Sequence, residues 1–241
     1  MNLEFDDIKK YLTNILSGND IKANDVMFNR FEKYFHILVE YNKNVNLTAI
    51  TEKNEVYIKH FCDCLLGIKQ YKIGSTVCDI GTGAGFPGVV LKIARPDLNV
   101  VLVDSLNKRV DFLNYVIGEL ELDNIVALHY RAEDKEFKDK YLNSFDYVVS
   151  RAVANMCTLT EYCLPYVKVG GEFVAYKSSN YNDELREASK CIAELGGKLH
   201  KVDKFILNDE LERNIVVVEK IRQTSNKYPR GGNKPRLDPI K

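Results

Sequence analysis

The chain has 241 residues, 45% hydrophobic and 28% charged, enough for a sizeable core in one large domain or one domain with an extension. Basic and acidic residues both number 34, so no net field draws in nucleic acid, and any such binding must come from a local basic patch. No apolar run is long enough to span a bilayer, Met1–Asp7 lacks the regions of a signal peptide, and the six cysteines lack zinc-knuckle spacing; a cytoplasmic chain with reduced thiols, no membrane and no metal is expected.

In chain order, Met27, Phe31, Tyr34, Phe35, Leu38 and Val39 recur at helical spacing. A second helical stretch follows around Ile58–Ile68, so residues 1–70 read as an N-terminal helical extension. From residue 75 short apolar runs alternate with amphipathic stretches. Strands are predicted at Thr76–Ile80, Val100–Asp104, Ile125–Tyr130, Tyr147–Arg151 and Glu172–Lys177, and helices near Gly88–Ala94, Lys108–Leu120, Ala154–Val167 and Asp183–Leu195. That alternation predicts an α/β fold with a mostly parallel sheet and helices on both faces. Leu199–Ile206 and Asn214–Glu219 are separated only by Leu207–Arg213, too short for a parallel crossover, so a seven-stranded sheet ending in an antiparallel hairpin is expected. Residues 71–221 form the main domain in this reading. The remainder, 222–241, is a polar, basic tail expected to be loop-like or extended.

The chemistry gathers at Asp79-Ile80-Gly81-Thr82-Gly83-Ala84-Gly85-Phe86-Pro87-Gly88. A strand runs into a glycine turn, and Pro87 suits a helix start. Glycines let the backbone approach a ligand, and the helix N-terminus offers free N–H groups to an anion. Asp104 ends the next predicted strand, roughly twenty residues on, where a carboxylate can hold ribose hydroxyls. Together these imply a nucleoside-containing cofactor; the alternative is a tight turn followed by a helix-capping aspartate. Gly83-x-Gly85-x-x-Gly88 also matches the dinucleotide fingerprint. The terminal hairpin, in place of a second mononucleotide-binding half, argues against NAD. So does the lack of any Tyr-x-x-x-Lys pair, whereas an acidic residue before Gly-x-Gly-x-Gly is the usual pattern of Rossmann-like, seven-stranded S-adenosylmethionine methyltransferases.

Further motifs are Asn46-Leu47-Thr48-Ala49-Ile50, His60-Phe61-Cys62-Asp63-Cys64-Leu65, Leu102–Arg109, Arg131-Ala132-Glu133, Ser150-Arg151-Ala152-Val153-Ala154, Tyr176-Lys177 and Tyr228-Pro229-Arg230. With these the chain resembles, over nearly its whole length, the bacterial small-subunit ribosomal RNA guanine-N7 methyltransferases, the RsmG or GidB family. It departs from the family pattern at Cys64, where serine is usual, and at Tyr176-Lys177-Ser178, where methionine-lysine-glycine is common. The resemblance implies methyl transfer to N7 of one guanine near the decoding centre of 16S ribosomal RNA, in the small subunit or its precursor. It also implies a cofactor pocket of Gly81, Phe86, Ala132, Glu133 and Arg151, to which the loop reading adds Gly83, Gly85 and Asp104.

N7 of guanine carries a lone pair and no proton, so no general base is required and no catalytic residue is assigned. His60 and Asp63 are expected to share a structural hydrogen bond rather than to act in catalysis. Asn46 and Lys177 are candidates for contact with RNA. The basic tail, including Arg230, either tracks RNA phosphates or is a solvated end. Competing readings are a methyltransferase for another RNA, a protein or a small molecule, and a ribosome assembly factor without catalysis.

Overall fold

The computed structural model describes residues 5–151, 154–179, 181–208 and 211–240. Met1–Glu4, Ala152, Val153, Asp209, Glu210 and Lys241, which belong to segments discussed above, lie outside them.

Helix α1 (Phe5–Gly18) leads into α2 (Asp25–Val45). Asn24 caps α2 by accepting from the Met27 N–H at 2.9 Å, and Asp25 favours the positive end of the helix dipole. Met27, Phe31, Tyr34, Phe35 and Leu38 form its buried stripe, as their spacing predicts. A second helical stretch follows as α3 (Lys53–Val56), a π-helical segment (Tyr57–Cys62) and α4 (Asp63–Leu65). π-helical turns are rare and occur often at functional sites.

The sheet strands are β1 (Thr76–Ile80), β2 (Asn99–Asp104), β3 (Ile125–His129), β4 (Phe145–Arg151), β5 (Val167–Lys177), β6 (Gly197–Leu207) and β7 (Leu211–Lys220). Between them run α5 (Gly88–Ala94), α6 (Asn107–Glu119), α7 (Lys135–Tyr141), α8 (Met156–Cys163) and α9 (Tyr181–Glu194), and α10 (Lys234–Leu237) lies near the end. The strand order is β3-β2-β1-β4-β5-β7-β6. β1 to β5 are parallel, whereas β7 runs antiparallel to both β5 and β6. The fold is therefore the seven-stranded α/β methyltransferase sheet with the terminal hairpin.

Strand alternation feeds two cores. Val77, Val149, Val174 and Val217 face the layer of α2, α5 and α6; Cys78, Val148, Phe173 and Val218 face α8 and α9. Strand order reverses between β1 and β4, which opens a crevice at the carboxyl ends of the strands.

Several segments differ from expectation. α7 was not anticipated, because its charged run carries only one buried anchor, Phe137. The helix expected at Ala154–Val167 starts after the Asn155 cap and stops at Cys163, before a short turn into β5. Within the tail, Lys234–Leu237 is helical rather than extended. All six cysteines are buried and unpaired.

Candidate functional site

The loop after β1 is built by three left-handed glycines, Gly81, Gly83 and Gly85, with φ of 73°, 62° and 94°. Gly81 and Thr82 N–H groups donate to Val103 O at 2.9 and 3.1 Å, tying the loop to β2. Asp79 accepts from the Thr82 hydroxyl at 2.7 Å and from the Gly88 N–H at 2.8 Å. The carboxylate thus holds both ends of the turn, and burial pushes its pKa up to about 7. Its Oδ1 is buried without a hydrogen-bond partner among the described residues. From α2 the Tyr34 hydroxyl donates to Ala84 O. A Cβ on Gly85 would lie 2.6 Å from the Tyr34 oxygen, so this clamp demands glycine.

A cleft of about 510 Å³ opens beside the loop. Gly81, Asp104, Ala132, Glu133 and Arg151, all predicted, line it together. Gly83, Gly85 and Phe86 shape the loop without lining this cleft. At the end of β2, Asp104 accepts from the Gly83 N–H at 2.9 Å and from the Leu106 N–H at 3.0 Å. It is thereby fixed to the loop rather than serving only as a cap. Glu133 lies 3.9 Å from Arg131, and the Tyr166 hydroxyl donates to Ala132 O.

A second cleft of about 340 Å³ shares Arg151 with the first and is lined also by Lys59, His60, Asp63, Lys177 and Arg213. Here the expected His60–Asp63 hydrogen bond is corrected. Asp63 Oδ2 accepts from Arg151 Nη1 at 2.8 Å, and its Oδ1 accepts from Arg213 Nε at 3.0 Å. His60 Nδ1 instead lies 3.2 Å from Arg151 Nη2, and its Nε2 lies 3.0 Å from the Thr48 hydroxyl. The π-helical segment displaces the three-residue spacing that suggested pairing, and the two arginines outcompete a neutral imidazole for the carboxylate. Burial, and then the Arg151 charge, push His60 down to about 3, so it is neutral. The His60 ring stacks on Phe86 at 4.6 Å, and the Arg151 guanidinium sits 4.9 Å from the same ring. Arg151, its side chain 14% exposed, is therefore the hub that joins Asp63, His60 and Phe86.

Lys177 lines the second cleft, pairs with Glu184 at 2.5 Å and donates to Ala154 O at 3.1 Å. Asn46 lines neither cleft; it ends α2 in the left-handed conformation, with φ of 52°. Arg230 also lies outside both clefts, bound to Glu161 at 2.8 Å. Arg213, Lys59, Tyr162 and Asn233 were missed, and Arg236 was expected only as one of the basic residues of the tail. Arg213 sits in the hairpin and Lys59 at an ordinary exposed-looking position, so nothing in the sequence tied them to the loop. For Arg236 the basic tail was the one available signal.

Residues 27–216 match the protein family GidB, described as rRNA small subunit methyltransferase G. The chain is 53% identical over 214 residues to ribosomal RNA small subunit methyltransferase G of Lachnoclostridium phytofermentans, covering 88% of each chain. With the protein of that name from Clostridium botulinum (strain Loch Maree) it shares 45% identity, over 93% of this chain and 96% of the relative. Among solved structures, a SAM dependent methyltransferase from Aquifex aeolicus superposes with a TM-score of 0.53 at 16% identity, over 72% of this chain and 96% of that one, which bears on the fold alone. The loop, the strand order and these matches agree, and the chain belongs to the rRNA small subunit methyltransferase G family.

Proposed function

We propose that the chain transfers the methyl group of S-adenosylmethionine to N7 of a guanine in 16S ribosomal RNA, with the cofactor in the first cleft and the base in the second. The observation that carries this reading is the meeting of the two clefts at Arg151, which puts a donor bound in one next to an acceptor bound in the other. The first cleft suits the cofactor. Asp104, whose two carboxylate oxygens accept from the Gly83 and Leu106 N–H groups, keeps lone pairs for ribose hydroxyls. Gly81, Ala132 and Glu133 line the remainder. The bound cofactor supplies an already activated methyl group.

The second cleft is rich in donors: Lys59, Lys177, Arg151 and Arg213. Donors match the O6 acceptor of guanine while N7 is left free to attack the methyl group, and they oppose the N6 amino group of adenine. Asp63 is held between two arginines and burial beside Arg151 makes His60 a very weak base, an arrangement that orients Arg151 and suits a reaction without proton abstraction. The enzyme then works by alignment and by exclusion of water. A ribosomal RNA substrate implies a cytoplasmic location.

The test is incubation with methyl-labelled S-adenosylmethionine and small ribosomal subunits, followed by nucleoside mapping. Label is expected in 7-methylguanosine of the small-subunit RNA. Label in another nucleoside, or in protein only, rejects the reading.

A further inference from the structure

The basic tail is fastened down at many points. Arg230 meets Glu161 of α8 three times: its backbone N–H and Nε donate to Oε1 at 2.9 and 2.8 Å, and its Nη2 donates to Oε2 at 2.8 Å. The Glu161 side chain is only 1% exposed, so this is a bidentate pair on a buried carboxylate, the geometry that gives arginine its specificity. Arg230 Nη2 also donates to Asp238 O at 2.7 Å, closing the segment on itself. The Thr158 hydroxyl donates to Pro235 O at 3.0 Å, and Lys138 Nζ donates to Pro229 O at 3.0 Å.

The consequence appears at the first cleft. Two tail residues, Asn233 and Arg236, line it together with Ala132, Glu133 and Tyr162 of α8. Burial raises the Tyr162 phenol, and the charges acting on it include Glu133 and Arg236, so these groups surround one end of the cleft. Asp104 belongs to the ribose and Arg151 to the methyl end in the function proposed above, which leaves this end for adenine. An Asn amide complements adenine N6 and N7, and a planar guanidinium stacks on a purine face.

We propose that the segment Arg230–Leu237 is a built-in wall of the cofactor cleft: Asn233 and Arg236 contact the adenine end of S-adenosylmethionine, and Arg230 positions them through Glu161. The inference rests on the placement of the cofactor in the first cleft. It assigns the tail to the cofactor and not to RNA phosphates.

The probe is S-adenosylhomocysteine, titrated calorimetrically into the full chain and into an Asn233→Ala/Arg236→Ala double variant. Both side chains are exposed, and because Asn233 holds a left-handed φ of 60° that alanine tolerates poorly, an Asn233→Gly/Arg236→Ala variant, which keeps that backbone, must show the same loss. The variant is expected to bind about tenfold more weakly, the factor that a contact worth about 1.4 kcal/mol gives. Affinity for small-subunit RNA measured without cofactor should hold. Equal nucleoside affinity in both proteins overturns the proposal, as does loss of RNA binding with nucleoside affinity intact. Failure of the full chain to bind the probe at all instead rejects the cofactor reading on which the proposal stands. Hydrogen exchange gives a second measure in the unaltered protein: S-adenosylhomocysteine should slow exchange of the amides between residues 231 and 238, and unchanged exchange there refutes the contact. For Arg230→Ala, the KM for S-adenosylmethionine should rise while kcat at saturating cofactor holds. A lower thermal midpoint with an unchanged KM removes Arg230 from the proposal.

Discussion

Asp63→Asn isolates the hub between the clefts. The Asp63 side chain is 8% exposed, and those of Arg151 and Arg213 are 14% and 22% exposed, so solvent screens this group poorly. Asparagine keeps the size but removes the charge that accepts at 2.8 and 3.0 Å, leaving two guanidinium groups facing a neutral amide. Breaking a buried ion pair by removing one partner costs about 3–5 kcal/mol. Two charge-assisted hydrogen bonds at about 1.5–3 kcal/mol each give about 3–6 kcal/mol, an overlapping range. Urea unfolding should therefore show a lower midpoint at an unchanged slope, which identifies the loss as stability rather than altered compactness. Adding Arg213→Gln to Asp63→Asn should cost less than the sum of the single changes, because both act on one network. A loss below about 1 kcal/mol for Asp63→Asn, the range of an exposed pair, refutes the claim that the carboxylate anchors the two arginines.

Three further outcomes follow from the geometry. Gly81→Val forces a β-branched residue to φ of 73°, which should cost about 1–3 kcal/mol of stability and abolish S-adenosylhomocysteine binding; calorimetry with wild-type affinity in a folded variant contradicts the placement of the loop. Tyr34→Phe leaves the Ala84 carbonyl without its buried donor, so the unfolding free energy should fall by about 1–3 kcal/mol, and an unchanged thermal midpoint dismisses the clamp. Burial pushes Lys220 from its ordinary 10.5 down to about 7, so across that window the unfolded chain holds a proton that the native chain has released. The Lys220 contribution to stability should therefore rise with pH from 7 upward and be lost as pH falls back through the window, and parallel stability curves for wild type and Lys220→Met exclude this.

The sheet was legible because its strands are apolar runs punctuated by turns, and because the short link after Leu207 left the hairpin no other geometry. Asp79, the glycines and Asp104 were legible for the same local reason: strand, turn and helix follow one another within a short stretch. Long-range side-chain choices were not. His60 and Asp63 look like partners on a regular helix, but the π-helical segment shifts the turn, and Arg151 and Arg213 arrive from distant strands. Tyr34 reads as one more aromatic on an amphipathic stripe, yet its hydroxyl reaches 50 positions along the chain to the loop. The tail reads as a charged loop because the carboxylate that fastens it, Glu161, lies on a helix otherwise rich in uncharged residues.

Phe86 belongs to the glycine loop, yet its ring rests against His60 and Arg151, both of which line the second cleft. The wall the two chambers share is Arg151, with the Phe86 ring packed against its guanidinium. Where occupation of one chamber changes the affinity of the other through that side chain, thermodynamic linkage requires the factor to be the same in both directions. Titrating RNA with and without S-adenosylhomocysteine, and the nucleoside with and without RNA, would measure one coupling constant twice.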